Sequence, residues 1–292
     1  TAFQGHLELS GYIIRKTEEK NPAGSYDITP LHFAASNGHT EVCRYIVELV
    51  DNKNPADNMD GACPLTIAAF IGNLELYQLI AELSEDKNPS VNDGRSSLHL
   101  ASENGDLDVC KYIMDNLQYK NPPAVGGINA GLTPYDSAAL HGQVEICKLF
   151  VEILDDKNPV TIHGYTPLHQ AAYNGQLEVC KLILESIDDK NAVANGGLAP
   201  IHFAAQRGHL EILRLFLDNG MDRRLIANGL TPIERAASYG HFRSCLFLMG
   251  NLQDIVSFFK GIRYNNSTKA AILVNTLIGL FGAMVILVIF LI

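Results

Sequence analysis

The sequence lacks the residue patterns on which enzyme chemistry usually depends. It contains no Cys-x-x-Cys pair and no Cys/His spacing typical of a metal site. No glycine-rich phosphate loop, Ser/His/Asp set or pair of carboxylates at catalytic spacing stands out either. The sequence therefore predicts a protein that is not an enzyme and that has no catalytic residue, no bound metal and no cofactor.

Basic residues are also scarce, since 22 Lys and Arg residues are set against 32 Asp and Glu residues, for a formal net charge of −10. The charge is unevenly placed: residues 255–292 contain three basic residues and no acidic one, whereas residues 1–254 are strongly acidic. An acidic body argues against nucleic acid as a partner, because that binding depends on basic groups that neutralise phosphates. We interpret the acidity mainly as a source of solubility.

The sequence does contain one helix–turn–helix unit many times over. In residues 166–183, Thr166 suits a helix N-cap and Pro167 suits the first helical position. Gly175 can adopt the left-handed conformation that ends a short helix, and apolar residues of 177–183 then line a second helix. The unit recurs with turn glycines 32 to 37 residues apart, at Gly5, Gly38, Gly72, Gly105, Gly142, Gly175, Gly208 and Gly240.

The recurring pattern Thr-Pro-Leu-His-x-Ala-Ala, at a period near 33 residues, resembles the ankyrin repeat family. The resemblance covers residues 1–250, as a half repeat followed by about seven repeats, and the truncated first repeat predicts further repeats before Thr1. It implies an all-α solenoid of helix pairs with short hairpin loops. It also implies a protein that binds other macromolecules and does not catalyse reactions.

Cysteine and histidine follow the same period, which predicts structural roles for most of them. Five of the six cysteines stand five residues after a turn glycine, at one buried position of the second helix. Packed helices are about 8–10 Å apart, too far for a disulfide, so we predict core thiols in a reducing compartment. The resemblance implies that the histidine of each Thr-Pro-Leu-His motif hydrogen-bonds the threonine and nearby backbone, at His32, His99, His169 and His202.

The second helices end in a recurring Lys-Asn-Pro phrase, whose lysine suits the negative helix terminus and whose proline prevents continuation. The connection from Tyr119 to Leu132 carries four extra residues. We expect it to protrude from the hairpin edge, either as slack or as a binding element.

The composition changes after the repeats. Apolar residues at helical spacing in 251–269 predict either a capping helix or an amphipathic juxtamembrane helix. Residues 270–292 carry no charge and would extend roughly 34 Å as a helix, which predicts a single transmembrane helix in a lipid bilayer. Lys260, Arg263 and Lys269 precede it and place the repeats in the cytosol, although glycosylation sequons at Asn265 and Asn266 would require the opposite side.

Three functions are open at this point. The first is a tail-anchored scaffold that brings protein partners of unknown identity to a membrane. The second is a structural protein that assembles with itself to coat a membrane or tubule. The third is the N-terminal part of an ankyrin-bearing channel or membrane enzyme.

The resemblance assigns partner binding to a concave groove formed by the two residues before each turn glycine, which we call the pre-glycine pairs. Several pairs contain large apolar side chains, and exposed apolar groups indicate an interaction site. The predicted groove residues are Phe70, Ile71, Glu103, Asn104, Leu140, His141, Tyr173, Asn174, Gln206, Arg207 and Tyr239.

Small residues form one stripe in the predicted membrane helix. Asn275, Gly279 and Ala283 are spaced by four residues, and Gly282 lies beside them. Small residues allow close packing between membrane helices, and an amide in hydrocarbon favours a polar partner. The stripe therefore predicts association with a second helix, most simply in a homo-oligomer.

Overall fold

The structure is a computed structural model that describes residues 6–249 and residue 254. In these residues the chain forms paired α-helices joined by loops, with only isolated bridges and no extended strands. The chain divides into two compact units, residues 1–154 and residues 155–292. The all-α class and the stacking of helix pairs predicted from the sequence are confirmed.

In the first unit, each repeat supplies a first helix and a longer second helix, and helices of one kind pack against their counterparts in the next repeat. The first helices are α2 (Pro30–Ser36), α4 (Pro64–Phe70), α6 (Ser97–Asn104) and α8 (Pro134–His141). The second helices are α1 (Leu7–Lys16), α3 (Thr40–Leu49), α5 (Leu74–Leu83), α7 (Leu107–Asp115) and α9 (Val144–Ile153).

The second unit repeats this arrangement. Its first helices are α10 (Pro167–Asn174), α12 (Pro200–Arg207) and α14 (Pro232–Ser238). Its second helices are α11 (Leu177–Ser186), α13 (Leu210–Asp218) and α15 (Phe242–Leu248). A pair such as α10 and α11 is too small to bury its apolar face alone, so each pair depends on its neighbours in the stack.

Local chemistry fixes the ends of the first helices as predicted. Thr166 has an extended backbone just before α10, and Pro167 occupies the first helical position, where a missing N–H has no consequence. Gly175 ends the helix at φ 80°, in the left-handed region that a side chain disfavours.

The motif histidines connect neighbouring repeats. The Nδ1 atom of His169 accepts a hydrogen bond from the Thr166 backbone N–H at 3.2 Å, so the ring proton lies on Nε2. That Nε2–H donates to the Leu198 carbonyl in the next repeat at 2.8 Å. Burial lowers the pKa of His99, His169 and His202 to about 4, although backbone hydrogen bonds partly oppose this. The structural role implied by the resemblance is therefore confirmed. The predicted threonine contact is present at His32 and His169. Ser96 replaces the threonine for His99, and His202 bonds only backbone because position 199 is alanine.

The Lys-Asn-Pro phrase does more than end a helix. Its lysine returns to carbonyls of the preceding second helix, as when Lys87 Nζ donates to the Ser84 carbonyl at 2.6 Å. Its asparagine accepts a hydrogen bond from the start of the next first helix, as from Leu168 N–H to Asn158 Oδ1 at 3.1 Å. Sequence reasoning found the lysine role and missed the asparagine role, which recurs at Asn21, Asn54, Asn88, Asn121 and Asn158.

The long connection keeps this asparagine contact and loops its extra residues outward. Asn121 Oδ1 still accepts from the Tyr135 N–H at 3.0 Å. The Val125 N–H donates to the Gly94 carbonyl at 3.3 Å, so the loop is attached to the preceding hairpin. Val125 and Ile128 are nevertheless 82% and 93% exposed, which gives the loop an apolar, solvent-facing tip.

The cysteines lie in the core. All six are buried in the described part of the chain, and none forms a disulfide. Burial raises the pKa of four thiols to about 12, at Cys43, Cys110, Cys147 and Cys245. The prediction of core thiols is confirmed.

The predictions of a capping or juxtamembrane helix and of a transmembrane helix concern the C-terminal residues. Segments 251–269 and 270–292 lie outside the described residues, apart from Asp254. Among the described residues, the structure contains no helix with the length and apolar character needed to cross a bilayer.

Candidate functional site

The pre-glycine pairs lie at the C-terminal ends of the first helices, and their large side chains differ in exposure. Phe70 and Ile71 are 49% and 39% exposed, and Tyr239 is 56% exposed. Leu140 and Tyr173 are half-buried. Three of the five large apolar side chains therefore offer substantial area to a partner, and two are partly covered by neighbours.

In the first unit, Phe70 and Ile71 border a cleft of about 460 Å³. Ile67 from the preceding turn of α4 and Leu100 from α6 extend its apolar wall. Its polar wall comes from the hairpins, where Asp60, Asp93 and Arg95 line the cleft. The cleft combines apolar area with fixed charges, which is the usual composition of a recognition site.

Arg95 is neutralised inside this unit. Its guanidinium lies 2.8 Å from Asp93 Oδ2 and also pairs with Glu103. Burial alone would raise the pKa of Asp93, but the hydrogen bonds and charge of Arg95 hold that pKa below its usual value. His141 Nε2 approaches the other oxygen of Glu103 at 3.5 Å. The two predicted residues Glu103 and His141 thus belong to one network with two hairpin residues that the sequence did not indicate.

In the second unit the corresponding surface is aromatic. Phe203 meets the rings of Tyr165 and Tyr173 edge-on, with centroids 5.8 and 5.9 Å apart. With His169 and Gln170 these rings surround a cleft of about 160 Å³. The Arg207 guanidinium lies over the Tyr173 ring at 4.7 Å, in a cation–π contact. Only Tyr173 and Arg207 of this group were predicted.

Arg235 extends the same surface from α14. Its Nη1 donates to Gln206 Oε1 at 2.9 Å, whereas its buried Nε has no hydrogen-bond partner in the described part of the chain. Neither Arg207 nor Arg235 forms an ion pair with any described residue. Burial lowers the pKa of the Arg235 guanidinium from its ordinary value, which still leaves it charged at neutral pH.

The first helices of the two units differ in their charged residues. In the first unit their acids are Glu103, which pairs with Arg95, and the fully buried Asp136, and the helices contain no lysine or arginine. In the second unit they carry Arg207 and Arg235, and the acid Glu234 is occupied by hydrogen bonds from Thr231. The two surfaces therefore favour different chemical partners.

The remaining predicted residues have simpler surroundings. The Asn104 side chain donates to the Phe70 carbonyl, so it joins adjacent repeats. Asn174 is exposed at the end of α10. The predicted association residues Asn275, Gly279, Gly282 and Ala283 lie outside the described residues. No group of histidine, cysteine, aspartate or glutamate in the described ranges is arranged to hold a metal ion.

The residues that sequence reasoning missed left weak signals. Phe203 and Arg235 both occupy the position after the motif's fourth residue, which the repeat pattern treats as variable. An aromatic residue or an arginine at a variable position of an otherwise regular unit was the signal available. The sequence contained no such signal for Arg95, because its role depends on ion pairs with two carboxylates that folding brings close to it.

Comparison with known sequences agrees with the architecture. A family profile described as ankyrin repeats (3 copies) matches residues 1–93, 48–124, 98–194 and 187–258. A search of curated proteins found no match at a significant level. The overlapping matches span 1–258, which includes every helix described above. The chain therefore belongs to the ankyrin repeat family.

Proposed function

We propose that this protein is a non-enzymatic scaffold that binds other proteins through its first-helix surfaces and is held at a membrane by residues 270–292. The observation that carries the proposal is the exposure of Phe70, Ile71 and Tyr239 at the ends of first helices. Large exposed side chains beside a cleft are typical of interaction surfaces. Ankyrin repeats are typically non-catalytic and bind protein partners.

The binding surface is tested with the double variant Phe70→Ala/Tyr173→Ala. We expect the affinity for proteins captured by the wild-type full-length chain to fall by about tenfold or more, because large rings dominate interface energies. The measurement is quantitative capture from detergent-solubilised membranes, followed by titration of each captured protein.

The control is Leu83→Ala/Leu246→Ala, which removes two exposed apolar side chains from second helices. Its affinities should stay within about twofold of wild type. Equal losses in both double variants, or a loss in neither, would contradict binding through the first-helix surface.

The membrane part of the proposal is supported by sequence alone. Residues 270–292 contain no charge, and basic residues precede them. Unbridged buried cysteines support a cytosolic location for the repeats. A glycan on Asn265 or Asn266, detected as a mobility shift on endoglycosidase treatment, would contradict that orientation.

Self-association of the membrane segment gives a second prediction. Replacing both Gly279 and Ala283 with leucine should shift chemically cross-linked oligomers toward monomers, because bulky side chains prevent close helix approach. The wild-type protein and the double variant should both remain in the membrane pellet after alkaline carbonate extraction. Release of the wild type by carbonate would overturn the anchor, whereas an unchanged cross-linking pattern would overturn only the association.

A further inference from the structure

Two arginines on the second unit's first-helix surface have donors that the fold does not use. The Arg207 guanidinium carbon lies 4.7 Å from the centroid of the Tyr173 ring, and its N–H groups form no hydrogen bond or ion pair with the described residues. Arg235 uses Nη1 for Gln206, and its buried Nε has no partner among the described residues. The buried Nε is out of a ligand's reach, but the N–H groups of Arg207 and Nη2 of Arg235 form no hydrogen bond with the described residues and can donate to a ligand.

The first unit shows what a satisfied arginine looks like in this fold. Arg95 pairs with both Asp93 and Glu103, and its charge is compensated before any partner arrives. No described carboxylate forms an ion pair with Arg207 or Arg235, although acids outnumber bases in the whole sequence. Among the described first helices, uncompensated arginines therefore occur only in the second unit.

Next to the Tyr173 ring that Arg207 contacts lies apolar room for one side chain. Tyr165, Tyr173 and Phe203 border the cleft of about 160 Å³. A cavity of ~150 Å³ accepts a benzene ring, so this cleft suits one aromatic or large aliphatic group. The complementary ligand thus has a negative charge next to an apolar side chain.

We propose that Arg207, Arg235 and the adjoining aromatic cleft bind a protein segment that presents an aspartate or glutamate carboxylate next to an aromatic or large aliphatic side chain. The guanidinium forks match carboxylate geometry, and such charge-assisted pairs are the strongest hydrogen bonds available to a peptide. Nucleic acid is disfavoured because the chain has a net charge of −10. This inference rests on the proposed binding function and specifies the partner chemistry of one of its surfaces.

The test is selection of a phage-displayed random dodecapeptide library on the purified full-length chain in mild detergent. Selected peptides should contain aspartate or glutamate within a few residues of an aromatic or large aliphatic side chain. Synthetic copies are then titrated by fluorescence polarisation. Replacing the peptide's acid with its amide should weaken binding to the wild-type protein by about tenfold or more, which requires no protein variant to fold.

Protein variants then locate the site. Arg207→Gln and Arg235→Gln should each weaken the same peptides by about tenfold, and Arg235→Lys should have an intermediate effect because it keeps the charge without the planar fork. Arg214→Gln, at an exposed arginine of the second helix α13, is the matched control and should change the affinity by less than about twofold. Thermal melting followed by circular dichroism verifies that each variant is folded.

The outcomes separate this inference from the general function. Selected peptides without acidic enrichment, or peptides insensitive to the acid-to-amide change, overturn the carboxylate site. If those peptides still lose affinity with Phe70→Ala/Tyr173→Ala, the scaffold function stands and only this inference falls. Peptides whose affinity is unchanged by every first-helix variant overturn both the carboxylate site and the first-helix binding surface. Displacement of the peptide by oligo(dT)12 would indicate a nucleic-acid site instead.

Discussion

Lowering the pH from 7 to 5 is expected to destabilise the second unit by roughly 4 kcal/mol, about 2 kcal/mol for each of two buried histidines. His169 and His202 are neutral in the folded chain, with pKa values lowered to about 4 chiefly by burial. In the unfolded chain the pKa returns to about 6.5, so between pH 6.5 and 4 the unfolded state binds more protons. The stability contributed by these rings is therefore present above pH 6.5 and is lost as the pH falls toward 4.

The measurement is urea-induced unfolding at pH 5, 6 and 7, with hydrogen–deuterium exchange to resolve the two units. His169→Asn should lower the free energy of unfolding at pH 7 by about 1–3 kcal/mol, because the Leu198 carbonyl loses its 2.8 Å donor. The shorter amide still reaches the Thr166 N–H, as the carboxylate of Asp136 reaches the Thr133 N–H at 2.9 Å. This variant should also lose one histidine's share of the pH dependence.

His163→Gln is the control for the same series, since His163 is an exposed histidine on a hairpin of the same unit. Its curves should overlay those of wild type at each pH. An acid-induced loss of stability that is unchanged in His169→Asn would show that the buried rings are not its source.

Asp136→Asn is expected to have the opposite pH signature in the first unit. Asp136 stands where other repeats have histidine, is fully buried, and has one oxygen without a partner among the described residues. Burial raises its pKa to about 7, against opposing hydrogen bonds from Thr133. Because the folded state binds more protons than the unfolded state between pH 3.8 and 7, this residue favours folding at low pH and opposes it as the pH rises through 7.

An amide at this position has no proton to lose. The free energy of unfolding of Asp136→Asn should therefore rise relative to that of the wild type as the pH rises. The gap in free energy of unfolding should move by about 2–3 kcal/mol in favour of Asp136→Asn between pH 5 and pH 8. Asp115→Asn, at an exposed aspartate of α7, is the control and should show no such trend. A gap that stays constant with pH would mean that Asp136 does not titrate in this range.

These opposed signs also predict a difference between the units. His32 and His99 are both expected to destabilise the first unit on acidification, because burial lowers the pKa of each, but Asp136 in the same unit offsets part of that change. The second unit likewise contains two buried motif histidines, but its acid at the same motif position is Glu234, which is 6% exposed, whereas Asp136 is fully buried. We therefore expect acid to open the second unit before the first.

The sequence by itself determined the helix ends and the stacking of like units. Thr166, Pro167 and Gly175 act on backbone within a few residues of themselves, so their effects could be predicted without knowing the fold. The period near 33 residues then required every pair to bury its apolar face against the next. The repeat pattern also located the pre-glycine pairs in the sequence. It did not give the exposed fraction of each of their side chains.

Only the tertiary structure decided which polar groups meet. Asn158 and Leu168 are ten residues apart, and His169 bonds to Leu198, which lies 29 residues further on. Likewise, Arg95 forms ion pairs with two acids, whereas Arg235 forms none with the described residues. Such pairings depend on how hairpins and helices of successive repeats pack, and a local residue pattern contains no information about distances across that packing.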